Sequence, residues 1–171
     1  MKPKILCWLL IVLCPFAYAG AEMEIPDTFP PQMIELEAFT FSIDFDWRVK
    51  ELTPDDVANS VLFYADSVNG LQNLMVFAGA EGDYDTLYEQ TAKNEYAGIA
   101  KREETQVYNS IEIVFTSSEE TDSATAYISH DGNTYSFLLR NTQQEGKASE
   151  APKPLETLQG FLHSLMLSAQ P

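Results

Sequence analysis

From Phe39 to Trp47 the chain alternates without a break. Phe39, Phe41, Ile43, Phe45 and Trp47 are large and apolar, and Thr40, Ser42, Asp44 and Asp46 fill the places between them. Successive side chains of a strand point to opposite faces. This run therefore predicts a half-buried strand, with its aromatic side on a core and its acids toward water.

Turn and helix signals follow at short intervals. Thr53-Pro54-Asp55-Asp56 predicts a helix start, with Thr53 as N-cap, Pro54 at the first helical position and two acids at the positive end of the dipole. That helix has to be short, because Ser60–Ala65 reads as a strand. Asn69-Gly70 then marks a hairpin onto a partner strand over Leu71–Ala78, and Gly79–Asp83 reads as a loop. Over Asp83–Lys101, Tyr84, Tyr88, Ala92 and Tyr96 recur on one side, which predicts the longest helix of the chain. Strands are expected over Glu104–Asn109, Ile111–Thr116 and Ser123–Ser129, with an acidic turn at Ser118–Asp122. His130–Asn133 turns the chain onto a further strand, Thr134–Arg140. After a polar stretch from Asn141 to Pro154, the residues Leu155, Leu158, Phe161, Leu162, Leu165 and Met166 mark the stripe of a last helix. This order predicts an α+β layered domain: an antiparallel sheet with a long central helix and a C-terminal amphipathic helix.

The first residues carry a different pattern. Met1-Lys2-Pro3-Lys4 is a basic start, Ile5–Leu13 is an unbroken apolar run, and Ala17-Tyr18-Ala19 offers small residues where a signal peptidase inspects them. The run is shorter than the ~20 residues that a bilayer span takes. Residues 1–19 are expected to be a secretory signal cleaved after Ala19, with Ala21 as a second candidate, and Leu13 before Cys14 argues against a lipid anchor. Residues 20–32, rich in Pro and acid, read as a loose lead-in, and residues 33–171 as one domain. Both cysteines, Cys7 and Cys14, lie in the signal. The mature chain of about 150 residues thus has neither thiol nor disulfide and depends on its own core. Its expected place is the periplasm, or outside the cell.

Charge then narrows the partners. The chain holds 26 acids and 10 bases, a formal net of -16; loss of Lys2 and Lys4 leaves 8 bases against 26 acids, or -18. Such a field repels nucleic acid and anionic headgroups and draws cationic partners inward.

The Phe39-x-Phe41-x-Ile43 strand running to Trp47, the Asn69-Gly70 hairpin, the helix Tyr84–Lys101, the meander after it and the closing Ser164-Leu165-Met166-Leu167-Ser168 together resemble the PsbP/DcrB-like fold family of small exported proteins. The resemblance spans roughly Met33 to Leu167. Asp44-Phe45-Asp46-Trp47 departs from the Pro-x-x-Trp entry associated with that fold. No catalytic motif comes with it, and what it implies is binding rather than chemistry.

The residues themselves point the same way. The mature chain has two histidines, His130 in a turn beside Asp131 and His163 on the border of the last helix, and no Gly-x-Ser-x-Gly elbow. No zinc spacing occurs. Glu81-Gly82-Asp83-Tyr84-Asp85 and Glu119-Glu120-Thr121-Asp122 have the oxygens calcium takes but not the twelve-residue EF-hand loop, so no metal or cofactor is expected. Gly79-Ala80-Glu81-Gly82 puts an acid where a phosphate would sit. What remains is a binding surface on loops: Glu81, Asp83, Asp85, Glu119, Glu120 and Asp122. The expected function is a non-catalytic inhibitor or immunity protein that docks on a basic toxin or cell-wall hydrolase. An envelope adaptor with an apolar groove and a cryptic hydrolase are the alternatives.

Overall fold

The computed structural model describes residues 30–82, 101–142 and 151–168. Within them lie ten strands and two short helices. In chain order these are β1 (Gln32–Glu35), β2 (Phe39–Ile43), β3 (Trp47–Val49), α1 (Pro54–Ala58), β4 (Val61–Ser67), β5 (Gln72–Glu81), β6 (Lys101–Tyr108), β7 (Ile111–Ser118), β8 (Ser123–His130), β9 (Asn133–Asn141), α2 (Pro154–Leu162) and β10 (Met166–Leu167). The expected fold class is corrected by this architecture: the described residues are mostly antiparallel β-sheet, in two sheets, and hold no long central helix. Residues 83–100, to which the helix expectation applies, and residues 1–29, with the expected signal, lie outside the described residues. Lys101, the last residue expected in that helix, opens β6 instead.

Seven strands form one sheet in the order β3-β4-β5-β9-β8-β7-β6, antiparallel throughout. Two-residue turns make this arrangement cheap. Asn109-Ser110 and Asp131-Gly132 both hold positive φ, the primed geometry whose twist matches the strands it joins. The lead-in is shorter than expected, since Gln32 already pairs with Ile43 across β1 and β2. Met166, expected on the helix stripe, is instead an exposed residue of β10, which pairs with β2 to complete a three-stranded sheet.

The core lies on one face of the large sheet. Phe63, Leu74, Val76, Ala126, Phe137 and Leu139 share that face by register, and all are buried. β2 lays Phe39, Phe41 and Ile43 onto it, with Phe41 edge-on to Phe63 at 5.6 Å and to Phe137 at 5.3 Å. α2 adds Leu158, Phe161 and Leu162. Such edge-to-face pairs stabilise beyond the area they bury.

The long alternating run is not one strand. After Ile43 the chain turns through Asp44–Asp46, with the Trp47 amide donating to the Asp44 carbonyl at 3.2 Å. Phe45, in phase with the core residues by sequence, is thereby 54% exposed, while Trp47 is 5% exposed and begins β3 in the other sheet. Its ring meets Phe161 of α2 edge-on at 5.2 Å.

α1 starts where the sequence places it. The Thr53 hydroxyl accepts from the Asp56 amide at 3.2 Å, and the Asp56 carboxylate accepts from the Thr53 amide at 2.8 Å, a reciprocal cap. Hydrogen bonds from the Thr53 hydroxyl and amide hold the Asp56 carboxyl below its ordinary 3.8.

Truncating Trp47 to Ala removes the ring that joins β3 to α2, and a buried aromatic of this size costs about 3–5 kcal/mol when deleted. Urea denaturation of Trp47→Ala should show that loss; a midpoint equal to the parent's would contradict the packing described.

Candidate functional site

The six carboxylates singled out from sequence do not share one surface. Glu81 ends β5 and pairs with Asn133 beside the β8–β9 turn. Glu119, Glu120 and Asp122 sit in the β7–β8 turn, at the other end of β8. β8 has 8 residues, so the two groups are about 25 Å apart along the sheet. Asp83 and Asp85 lie outside the described residues. Nor is Asp122 a free carboxylate. It accepts from the Asn141 side-chain amide at 3.0 Å, and its carbonyl accepts from the Asn141 backbone amide at 2.9 Å. Among the described residues no three acids or histidines stand close enough to share a cation. His130 meets the Asp131 carboxylate at 3.3 Å and lies against Phe39, and His163 lies against Tyr108 at 4.3 Å.

The Glu119–Asp122 turn leads instead to a cleft that the sequence reading missed. Asn141 links Asp122 to Gln72, whose side-chain amide donates to the Asn141 Oδ1 at 2.8 Å and to the Pro152 carbonyl at 3.0 Å. Gln72 is 3% exposed and anchors the cleft wall. The opening, about 380 Å³, lies between the Asp44–Trp47 turn, the β4–β5 turn and one side of α2. Asp44, Asp46 and Glu156 line it, and its apolar wall is the Trp47–Phe161 pair. Its volume falls at the small end of the ~300–1,000 Å³ range of ligand pockets.

The turn that carries the acids is rigid. The Gln32 side-chain amide donates to three of its carbonyls, Asp44 at 3.2 Å, Phe45 at 3.3 Å and Trp47 at 2.8 Å. The Val68 amide donates to the Asp46 carbonyl at 2.7 Å, tying this turn to the β4–β5 turn. Glu156 has a cation at hand, the Lys153 ammonium at 3.3 Å. Among the described residues the carboxylates of Asp44 and Asp46 have none. Exposed Phe45 and Val68 flank them.

Gly160 lines the cleft from α2. It stands in the interior of α2, where glycine is unfavourable by ~1 kcal/mol relative to alanine, and a Cβ built on it meets no heavy atom within 4 Å. Internal packing does not require it. It lines the cleft, and its lack of a side chain keeps that space open.

The acids, the aromatic wall and the open glycine suit a cationic, partly apolar side chain. A lysine or arginine inserted here would place its charge among carboxylates and its stem against Trp47 and Phe161. No family model matches the chain, and no curated protein matches it. Gly160→Ala should raise stability by ~0.5–1 kcal/mol, read from the shift in denaturation midpoint; a destabilised variant would show that a side chain at 160 does meet packed atoms.

Proposed function

We propose that this chain is an exported, non-catalytic acidic binding protein whose cleft receives a cationic side chain of a basic partner protein. In its most specific form it is a periplasmic inhibitor or immunity protein for a cationic toxin or cell-wall hydrolase. The resemblance to PsbP/DcrB-like proteins, which implies binding rather than chemistry, belongs to the same proposal. The observation that supports it best is the pair Asp44 and Asp46, held on a turn braced by Gln32 and, among the described residues, without a cation, beside the open helix glycine Gly160.

The physics of such docking is straightforward. A net charge of -16 for the whole chain accelerates encounter with a basic surface, and that acceleration falls with ionic strength. Glu119 and Glu120 are exposed on the β7–β8 turn at the same end of the sheet. Because Gln32 and Val68 already fix the carboxylate-bearing turn, little ordering is left to oppose binding. A hydrolase that cuts anionic wall polymer carries a cationic cleft, and carboxylates on a rigid turn compete for it.

The test is the affinity for a basic muramidase, measured at low and high salt, with the same enzyme lysine-acetylated as control. Binding should weaken with salt and disappear on acetylation. Asp44→Lys with Asp46→Lys, and separately Gly160→Leu, should each weaken it about tenfold or more while leaving the melting temperature near the parent's. Turnover of the wall polymer by this chain, or binding indifferent to all four changes, would end the proposal.

A further inference from the structure

A second opening, of about 490 Å³, lies at the opposite end of the sheet from the acidic cleft, and its origin is local. Two neighbouring strands carry an extra residue at the same level. In β4, Val61 faces Phe77 and Phe63 faces Val76, which leaves Leu62 without a partner on β5. In β5, Phe77 faces Ser136 and Ala80 faces Thr134, so Ala78 and Gly79 together oppose Tyr135. Bulges of this kind bend a strand and re-aim side chains, and they concentrate beside functional sites. Here they turn Leu62 outward to 39% exposure and open a groove over Phe39, Ala78 and Tyr135.

The groove's other wall is the β1–β2 connection. It is pinned from both sides: the Leu36 amide donates to the Phe39 carbonyl at 2.7 Å, the Ser168 amide to Ala38 at 3.0 Å and the Ser168 hydroxyl to Leu36 at 3.1 Å. The floor is equally fixed. A Cβ on Gly79 would come within 2.7 Å of the Asn133 Cβ and 3.2 Å of the Tyr135 ring, so only glycine lets the strand pass there. Two exposed acids, Glu35 and Glu37, stand on the rim, Glu81 is paired with Asn133 at its edge, and among the described residues no lysine or arginine lines it.

We propose that this groove is a second binding site, for an extended peptide segment of a partner protein that presents an aliphatic side chain flanked by lysines or arginines. The apolar floor takes the aliphatic group, and the rim acids pair with the flanking cations. The assignment rests on the bulges and the groove and is independent of the acidic cleft.

The probes are three short fluorescent peptides: a central leucine between lysines, alanine in its place, and leucine between glutamates. Anisotropy with the full mature chain should show the lysine–leucine peptide binding about tenfold or more tighter than the alanine peptide, as burial of one leucine side chain implies, and the glutamate peptide not at all. Leu62→Lys, at an exposed bulge position, should abolish that preference with the fold intact, and Ala78→Phe should do so by filling the floor. Glu119→Lys should leave it unchanged. Equal binding of the leucine and alanine peptides overturns the proposal. So does a leucine preference that survives Leu62→Lys, or groove resonances that shift with the protein's own concentration in the absence of peptide, which would make a second copy the occupant.

Discussion

The side of the seven-stranded sheet that carries Phe63, Leu74, Val76, Ala126, Phe137 and Leu139 is apolar across its width, and the rest of the molecule is arranged to keep water from it. The described residues contain no cysteine, so no disulfide joins them. Each fully buried leucine or phenylalanine contributes ~1.5–3 kcal/mol, so the cover supplied by β2 and α2 is a large part of what holds the fold. The seam between them is made of rings, Phe41 on Phe63 and Phe137, Trp47 on Phe161. On its outer flank the same helix is tied to the edge strand, with the Gln159 amide donating to Glu104.

From that packing the placement of charge follows. Among the described residues no acid is buried, and antiparallel strands collect their turns at two ends. One end holds the cleft with Asp44, Asp46 and Glu156, the other the groove with Glu35 and Glu37. At physiological salt the screening length is ~8 Å, whereas the ends stand about 25 Å apart along β8. Charge at one end is therefore barely felt at the other. The two openings are electrostatically independent, although the same core holds both.

Much of this was legible in the residues. The alternation in Phe39–Ile43, the cap at Thr53, the Asn69-Gly70 turn and the β6–β9 meander follow from patterns whose period and turn chemistry are local. Three features were not. Phe45 keeps the phase of the core residues, and only the turn that Gln32 braces from the paired strand β1 turns it outward. Lys101 and Arg102 look like a helix end by charge, yet they pair with Ser117 and Thr116 across the sheet. The cleft was invisible because its parts, Asp44, Gln72, Asn141 and Gly160, come from four separated segments; the acids that were visible, Glu119 and Glu120, do not line it. Gly160 was the one available hint, a glycine inside an apolar helical stripe.

Both openings depend on β2 and α2 being as firmly held as the sheet they cover. Native-state hydrogen exchange measures this directly, residue by residue. The amides of Phe41 in β2 and Leu162 in α2 should open with the same free energy as that of Phe137 in the centre of the sheet, and all three should respond alike to denaturant. Exchange of Phe41 and Leu162 through a much cheaper opening, with Phe137 still protected, would mean that the cover is loose and that neither the cleft nor the groove has a fixed wall.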